Sequence, residues 1–274
     1  MTVRELLLRE RKDKRREALY LISYALSCPK ETLLVELDRE LGAEEMERVA
    51  RLLEERKKGR PLAYMRGWTE FFGEEFCVTE ATFVPRPETE LLVEEALCIL
   101  SSMGGRPCVV DVGAGCGACG IVIAKRTKAR VVLVDISEEA LVVAKRNARA
   151  HLVDVELVCS DLLTGFRVAP LFDLVLANLP YVAASEFDAL PEEVRAYEPS
   201  VALLGGRSGF EVYERLLRGV SPYLKEGGRV LLEIGGGRQA RRAKALLGSL
   251  GFCADVKEDA SGRQRAVIAW RNWS

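Results

Sequence analysis

Apolar positions in the first quarter of the chain recur every three or four residues. Leu6, Leu7, Leu19, Tyr20, Ile22 and Leu26 mark one side of an opening helical segment, and Leu33, Leu34, Leu37 and Leu41 continue it. Gly42 punctuates the pattern, and AEEMERVARLLEERKKG reads as a further helix that ends at Gly59. Residues 69–85, TEFFGEEFCVTEATFVP, change to aromatic and β-branched side chains around Gly73, which predicts a short hairpin joining two halves. From about residue 107, strand and helix patterns alternate. CVVDV, RVVLVD, VELVC, DLVLAN, GRVLLEI, GFCADVKED and QRAVIAW read as strands. GAGCGACGIVIAKRT is a glycine-rich turn running into a helix, and SEEALVVAKRNARA is a helix that Ser137 can cap, with Glu138 and Glu139 at its positive end. Near-continuous apolar strands alternating with helices imply an α/β fold whose mostly parallel sheet is covered on both faces.

Charge narrows the class. Forty Lys and Arg against forty-one Asp and Glu leave a net charge of −1 over 274 residues, without the basic surplus that nonspecific nucleic-acid binding requires. No apolar run approaches the roughly 18 residues of a membrane span, and the first twenty residues hold no signal-peptide core, so a cytoplasmic protein is expected. In that compartment the eight cysteines are expected as buried small hydrophobes. Cys116 and Cys119 form a C-x-x-C without the second pair that zinc would want, and no metal site is expected. The one histidine, His151, follows a predicted helix and reads as a surface residue, which leaves little for histidine-based catalysis. The cluster Arg11, Lys12, Lys14, Arg15 and Arg16 is either a solvated helix face or a docking face for a macromolecule.

Candidate chemistry gathers at the ends of the predicted strands. The loop Gly113-Ala114-Gly115-Cys116-Gly117, followed by Gly120, lets the backbone turn sharply and approach a ligand, at a helix start whose free N–H groups favour anions. Asp135, ending the next strand, can accept from both hydroxyls of a ribose, which suits NAD and S-adenosylmethionine equally. Asp161 is a candidate for an adenine amine and Leu162 for apolar contact with the ring; a plain turn explains them as well. Asn178-Leu179-Pro180-Tyr181 ends the fourth strand, where open α/β sheets bind ligands. An amide-type nitrogen is a poor nucleophile because its lone pair is delocalised. The Asn178 side-chain oxygen and the residue 179 carbonyl can accept its two N–H bonds and aim that lone pair, while Tyr181 offers a flat aromatic surface. An NAD-dependent enzyme would explain the loop and Asp135 but would leave residues 178–181 unused.

Together these residues resemble a class I S-adenosylmethionine-dependent methyltransferase of the amino-methylating type. Flanking segments are similar to the HemK-type protein-(glutamine-N5) methyltransferases: Arg60-Pro61-Leu62-Ala63-Tyr64 with Gly67, Phe71-Phe72-Gly73, and Phe83-Val84-Pro85-Arg86-Pro87-Glu88-Thr89-Glu90. Tyr197-Glu198-Pro199, Ala202-Leu203 with Gly205-Gly206, and Leu232-Glu233-Ile234-Gly235 extend the likeness, which runs from about residue 15 to the end. The resemblance implies a Rossmann-like class I methyltransferase fold with a seven-stranded sheet (residues 85–274), a helical domain that helps to dock the substrate (1–67), and a hairpin linker (68–84). It implies methylation of the glutamine in the Gly-Gly-Gln motif of peptide-chain release factors, with S-adenosylhomocysteine as the other product. Gly113, Ala114, Gly115, Cys116, Gly117, Asp135, Asp161, Leu162 and Asn178 fall on cofactor positions. Phe83 and Asn178, Leu179, Pro180 and Tyr181 fall on substrate positions, the tetrapeptide being the catalytic one. The family usually has Asn-Pro-Pro-Tyr, so Leu179 is a departure, and some loss of rigidity is expected from it. The protein partner is then a release factor, with no direct nucleic-acid binding, no membrane and a monomeric enzyme. Alternatives on the same scaffold are a ribosomal-protein glutamine or adenine-N6 methyltransferase, or a catalytically weak cofactor-binding protein.

Overall fold

The computed structural model describes residues 1–271; the end of the expected catalytic segment, 272–274, lies outside the described residues. Two compact units result, the first Met1–Arg66 and the second beginning at Gly67.

The first unit holds α1 (Val3–Arg9), α2 (Arg15–Ala25), α3 (Lys30–Val35), α4 (Ala43–Lys57) and α5 (Leu62–Arg66). Thr2 and Glu5 start α1 with a reciprocal capping box. Val3, Leu6, Ile22, Leu33 and Val49 form its core. The single apolar side predicted for the opening segment is broken by turns, and at residues 33–34 only Leu33 faces inward, whereas Leu34 is exposed. Gly59, with φ of 91°, stops α4 in the left-handed region that glycine tolerates best. Within the basic cluster, Arg11 pairs with Asp13 and Lys14 with Glu17.

The second unit opens with the antiparallel hairpin β1 (Trp68–Phe71) and β2 (Glu74–Cys77). Phe72 and Gly73 both take positive φ at its tip, as a two-residue turn matching the strand twist requires. The seven-stranded sheet follows: β3 (Cys108–Val112), β4 (Arg130–Asp135), β5 (Glu156–Cys159), β6 (Phe172–Ala177), β7 (Leu224–Glu233), β8 (Cys253–Glu258) and β9 (Gln264–Trp270). Its order is β5-β4-β3-β6-β7-β9-β8; β9 alone runs in the opposite direction to the other six strands. Helices α6 (Glu90–Ser101), α7 (Ala118–Arg126), α8 (Glu138–Ala150), α9 (Glu192–Tyr197), α10 (Ser200–Leu203), α11 (Glu211–Val220) and α12 (Gly237–Ser249) connect and cover the strands. Val109, Val110, Leu174, Val175 and Leu176 are fully buried, which is why these strands read as unbroken apolar runs. Ser137 caps α8 by accepting from the Ala140 N–H, and α6, which the sequence pattern does not predict, fills the stretch between hairpin and sheet. The order reverses between β3 and β6, so the carboxyl ends of β3, β4 and β6 open onto one crevice.

Two sequence expectations need correction. His151 is not a surface residue: its ring stacks on Phe76 with centroids 4.6 Å apart, and Nε2 lies 2.9 Å from the Glu75 carbonyl oxygen. The hairpin lies over the end of α8 and covers it. Of the cysteines, Cys116 and Cys119 are buried, but Cys98, Cys159 and Cys253 are exposed, because they fall on outward positions of otherwise apolar elements.

Asn147 ties the hairpin to the sheet unit. Buried on α8, it accepts from the Cys77 N–H at 2.8 Å and donates to the carbonyls of Cys77 at 2.9 Å and Cys116 at 2.8 Å. All three bonds link segments distant in sequence, so the hairpin and the glycine loop share one anchor. Asn147→Ala leaves buried backbone groups without partners, each costing about 1–3 kcal/mol. The variant is expected to lower the urea midpoint and to speed amide exchange at Cys77.

Candidate active site

A cavity of about 450 Å³ opens at the crevice, within the roughly 300–1,000 Å³ usual for small-molecule sites. Its floor is the glycine loop after β3. The N–H groups of Gly113 and Ala114 both donate to the Val134 carbonyl, at 2.8 and 2.9 Å, which folds the loop across β4. Gly113, at φ of 76°, has no room for a side chain: an added Cβ would stand 3.0 Å from Leu179 Cδ2 and 3.3 Å from the Asn178 carbonyl oxygen. Bare backbone therefore faces the cavity where β3 and β6 end.

Asp135 joins the loop to α8. One carboxylate oxygen accepts from the Gly115 N–H at 2.8 Å and the other from the Ser137 N–H at 3.0 Å. Each oxygen keeps a further lone pair, and both are fixed in direction, so the group can receive two neighbouring hydroxyls. Asp111 lies beneath, buried on β3, accepting from the Gly120 N–H at 2.9 Å. Burial pushes its carboxyl up to about 7 against the pull of that N–H, and Asp135 adds to the rise. Asp161 is ion-paired with Arg215, and Leu162 is held at φ of 54°, a left-handed conformation that costs a leucine about 1–2 kcal/mol.

The tetrapeptide after β6 forms the opposite side. Asn178 Nδ2 donates to Thr89 Oγ1 at 3.3 Å, which leaves Oδ1 as the free acceptor. The Leu179 side chain is buried against Gly113. The N–H that a proline would lack donates to the Tyr213 hydroxyl at 3.0 Å. That hydroxyl has one proton, and its 2.6 Å approach to the Glu233 carbonyl is closer than its 3.0 Å approach to the Leu179 carbonyl. The Leu179 oxygen thus keeps acceptor capacity, and a hydrogen bond holds the peptide that proline would hold by its ring. Burial, with the Glu233 charge nearby, pushes the Tyr181 phenol up to about 12, so its ring is a neutral wall.

Three glycines enclose this backbone. A Cβ on Gly205 would lie 2.4 Å from the Pro180 oxygen, one on Gly209 2.4 Å from the Tyr181 oxygen, and one on Gly235 2.9 Å from Tyr181 Cδ2. Gln239 closes the ring, donating to the carbonyls of Tyr181 and Gly209, both at 2.9 Å, and accepting from the Gly235 N–H at 2.7 Å. At the mouth, the Arg86 guanidinium stacks 4.7 Å over the Phe83 ring and is ion-paired with the buried Glu198. Burial raises the Glu198 carboxyl despite that pairing.

Gly113, Ala114, Gly115, Cys116, Asp135, Asp161, Leu162, Phe83 and residues 178–181 all line this one cavity. Gly117 does not: at φ of 83° it packs under the loop, where a Cβ would meet Ile121, Leu133 and Ala144. Cys116 is held protonated by burial, its thiol pushed up to about 12, and the same cause raises the Cys119 thiol well above its ordinary value. Thr89, Asp111, Arg86, Glu198 and Glu233 stand in motifs visible in the sequence, but their partners are assigned by the fold; Tyr213 and Gln239 carried no sequence signal. Among the described residues no cluster of three or more His, Cys, Asp or Glu could hold a metal, and no helix is long and apolar enough to cross a membrane.

Comparison with known proteins gives two family matches, a PrmC N-terminal domain over residues 4–67 and a methyltransferase small domain over 89–194. The chain is 36% identical to the release factor glutamine methyltransferase of Geobacter sulfurreducens, over 93% of this chain and 89% of that one. It is 34% identical to the release factor glutamine methyltransferase of Aquifex aeolicus, over 99% and 96% of the two chains. The fold is shared with a methyltransferase from Pyrococcus furiosus, with a TM-score of 0.55 and 19% identity over 82% of this chain and 98% of that one.

The raised Asp111 carboxyl carries a stability consequence. The folded state holds its proton up to about 7, while the unfolded chain releases it near 3.8, so this group's contribution falls as pH rises between those values and is flat above. Asp111→Asn keeps an acceptor for Gly120 and has no proton to lose. Its stability relative to wild type is expected to improve from pH 4 to pH 7 and then level off, as read by urea denaturation across that range.

Proposed function

The chain belongs to the release factor glutamine methyltransferases, and from that membership and the geometry of the cavity we propose that it methylates the side-chain amide nitrogen of the glutamine in the Gly-Gly-Gln motif of peptide-chain release factors, with S-adenosylmethionine as donor. The observation that carries the reading is the pair of acceptors, Asn178 Oδ1 and the Leu179 carbonyl, at the end of β6 in the cavity that the Asp135 carboxylate also lines.

The residues present fit the donor. Asp135 offers two oriented oxygens for ribose hydroxyls, Gly113 leaves a cradle that a Cβ would close, and Asp161 and Leu162 stand further along for the adenine. When bound, S-adenosylmethionine supplies an electrophilic methyl carbon on sulfonium sulfur. Asn178 and Leu179 accept the two amide N–H bonds of the glutamine, aim its nitrogen lone pair and stabilise the positive charge that grows as the nitrogen becomes tetrahedral. Tyr181 and Phe83 confine the planar amide between apolar surfaces. The new nitrogen–carbon bond replaces the carbon–sulfur bond of the donor, and the nitrogen, made acidic as it becomes tetrahedral, releases one proton to solvent; no histidine base is needed, because alignment can supply roughly 7–11 kcal/mol of the barrier in favourable cases. Leu179 preserves the chemistry, since the oxygen used is main-chain and the Tyr213 bond replaces the rigidity of proline.

In this reading the segment 1–67 docks the body of the release factor and 68–84 links it to the catalytic segment from residue 85. The enzyme acts as a monomer in the cytoplasm, where translation terminates, and its near-neutral charge suits a protein substrate better than a nucleic acid.

Mass spectrometry of a purified release factor incubated with enzyme and S-adenosylmethionine is expected to show one methyl increment on the Gly-Gly-Gln glutamine; no increment there would sink the reading. Two substitutions separate the roles. Asn178→Ala is expected to lower kcat by about 10²–10³-fold, the usual cost of one preorganised polar contact to developing charge, with donor affinity largely kept. Asp135→Ala is expected to weaken donor binding at least tenfold by calorimetry, the loss of about 1.4 kcal/mol or more.

A further inference from the structure

The two apolar walls of the amide site, Phe83 and Tyr181, come from segments far apart in the chain. Phe83 lies ahead of α6. Tyr181 opens an excursion, residues 183–204, that leaves the tetrapeptide and comes back to it. The Val182 N–H donates to the Leu203 carbonyl and the Gly205 N–H to the Val182 carbonyl, both at 2.9 Å, which closes the base of the excursion. Leu190 and Val194 within it line the cavity. A charge pair joins the excursion to the Phe83 segment: Arg86 is ion-paired with Glu198, buried just past α9. The same guanidinium stacks over the Phe83 ring, 4.7 Å from its centroid. Pro85 and Pro87 flank Arg86 and keep its backbone extended, at φ of −106° and ψ of 149°. Glu198 Oε2 has no hydrogen-bond partner among the described residues, so Arg86 supplies the charge that makes burial of this carboxylate tolerable. A planar, permanently charged group can lie on a ring and reach a carboxylate with its edge at the same time, whereas a lysine ammonium cannot.

We propose that Arg86 and Glu198 are positioning residues for the methyl acceptor: the pair holds the Phe83 ring relative to the Tyr181 wall and so fixes the plane in which the glutamine amide enters. The proposal rests on the methyltransferase reading, which puts that amide between the two rings. Neither Arg86 nor Glu198 is given a contact with the reacting atoms; both act through Phe83. A ring that is free to shift leaves the amide free to turn, and its nitrogen then spends less time in line with the methyl carbon. Donor binding rests on the glycine loop and Asp135, at the ends of β3 and β4, and is left alone by the pair.

The test is a double-mutant cycle on a release factor, with wild type, Arg86→Lys, Phe83→Leu and the two combined. Arg86→Lys keeps the positive charge and is expected to lower kcat/KM about 10-fold, a modest misalignment. Phe83→Leu is expected to cost at least as much. The combined variant is expected to lie within about threefold of Phe83→Leu alone, because Arg86 acts through a ring that is no longer there. Losses that multiply overturn the proposal, and so does Arg86→Lys with wild-type kcat/KM. The S-adenosylmethionine Kd is expected within threefold of wild type throughout; a larger loss in Arg86→Lys shows a general structural role and overturns it as well. Glu198→Gln approaches the pair from the other side, removing the charge while keeping the shape, and is expected to lower kcat/KM in wild type but not further in Phe83→Leu. A second measurement needs no substrate. The Phe83 ring signals, assigned by their loss in Phe83→Leu, are expected to shift and broaden in Glu198→Gln. Unchanged signals overturn the proposal. A wild-type enzyme that leaves every release factor unmethylated counts against the proposed function, and the ring signals still decide whether the pair holds Phe83.

Discussion

Two oxygen atoms at the end of β6 can work as acceptors only if the backbone that carries them is held rigidly without being covered. Most of what surrounds residues 178–181 follows from that constraint. Gly205, Gly209 and Gly235 approach so closely that any side chain would displace the tetrapeptide, and Gln239 stitches the three segments together. On the sheet side, Gly113 and the buried Leu179 side chain interlock. Rigidity comes from close packing against bare backbone, which leaves the cavity side of Asn178 and Leu179 open.

The electrostatics of the site follow from burial rather than from net charge. Asp111 and Glu233 both sit in a medium that disfavours their ionised forms, and Cys116 and Cys119 are kept as inert thiols by the same effect. Asp135, which lines the cavity, has each oxygen held by one backbone N–H and open to one more partner. The result is a cavity whose polar groups are few and directional, suited to orienting a neutral amide. Strong proton abstraction would need a different set of groups.

Leu179 shows how a departure from a family pattern can be absorbed. Replacing a proline releases φ and adds a donor in a buried place, where an unmatched N–H would be costly. The Tyr213 hydroxyl accepts from that N–H and donates its own hydrogen bond to the Glu233 carbonyl, so the added freedom and the added donor are cancelled together.

The sequence by itself determined the α/β class, the seven strands, the glycine loop and the tetrapeptide, because each depends on local rules: apolar runs for doubly covered strands, glycine where φ is positive, proline where the chain must stay extended. It did not determine whether His151 faced solvent, since a residue just past a helix is exposed unless a remote hairpin stacks on it, as Phe76 does. Nor could it show that Gly117 packs under the loop instead of lining the cavity, that Leu33 and not Leu34 turns inward, or that Asn147 ties hairpin to loop. The environments of Thr89, Asp111 and Glu233 were equally invisible, although all three lie in motifs that could be read. Hydrogen-bond partners and desolvation are set by residues tens of positions apart, and only the packed tertiary structure brings those residues within reach of one another.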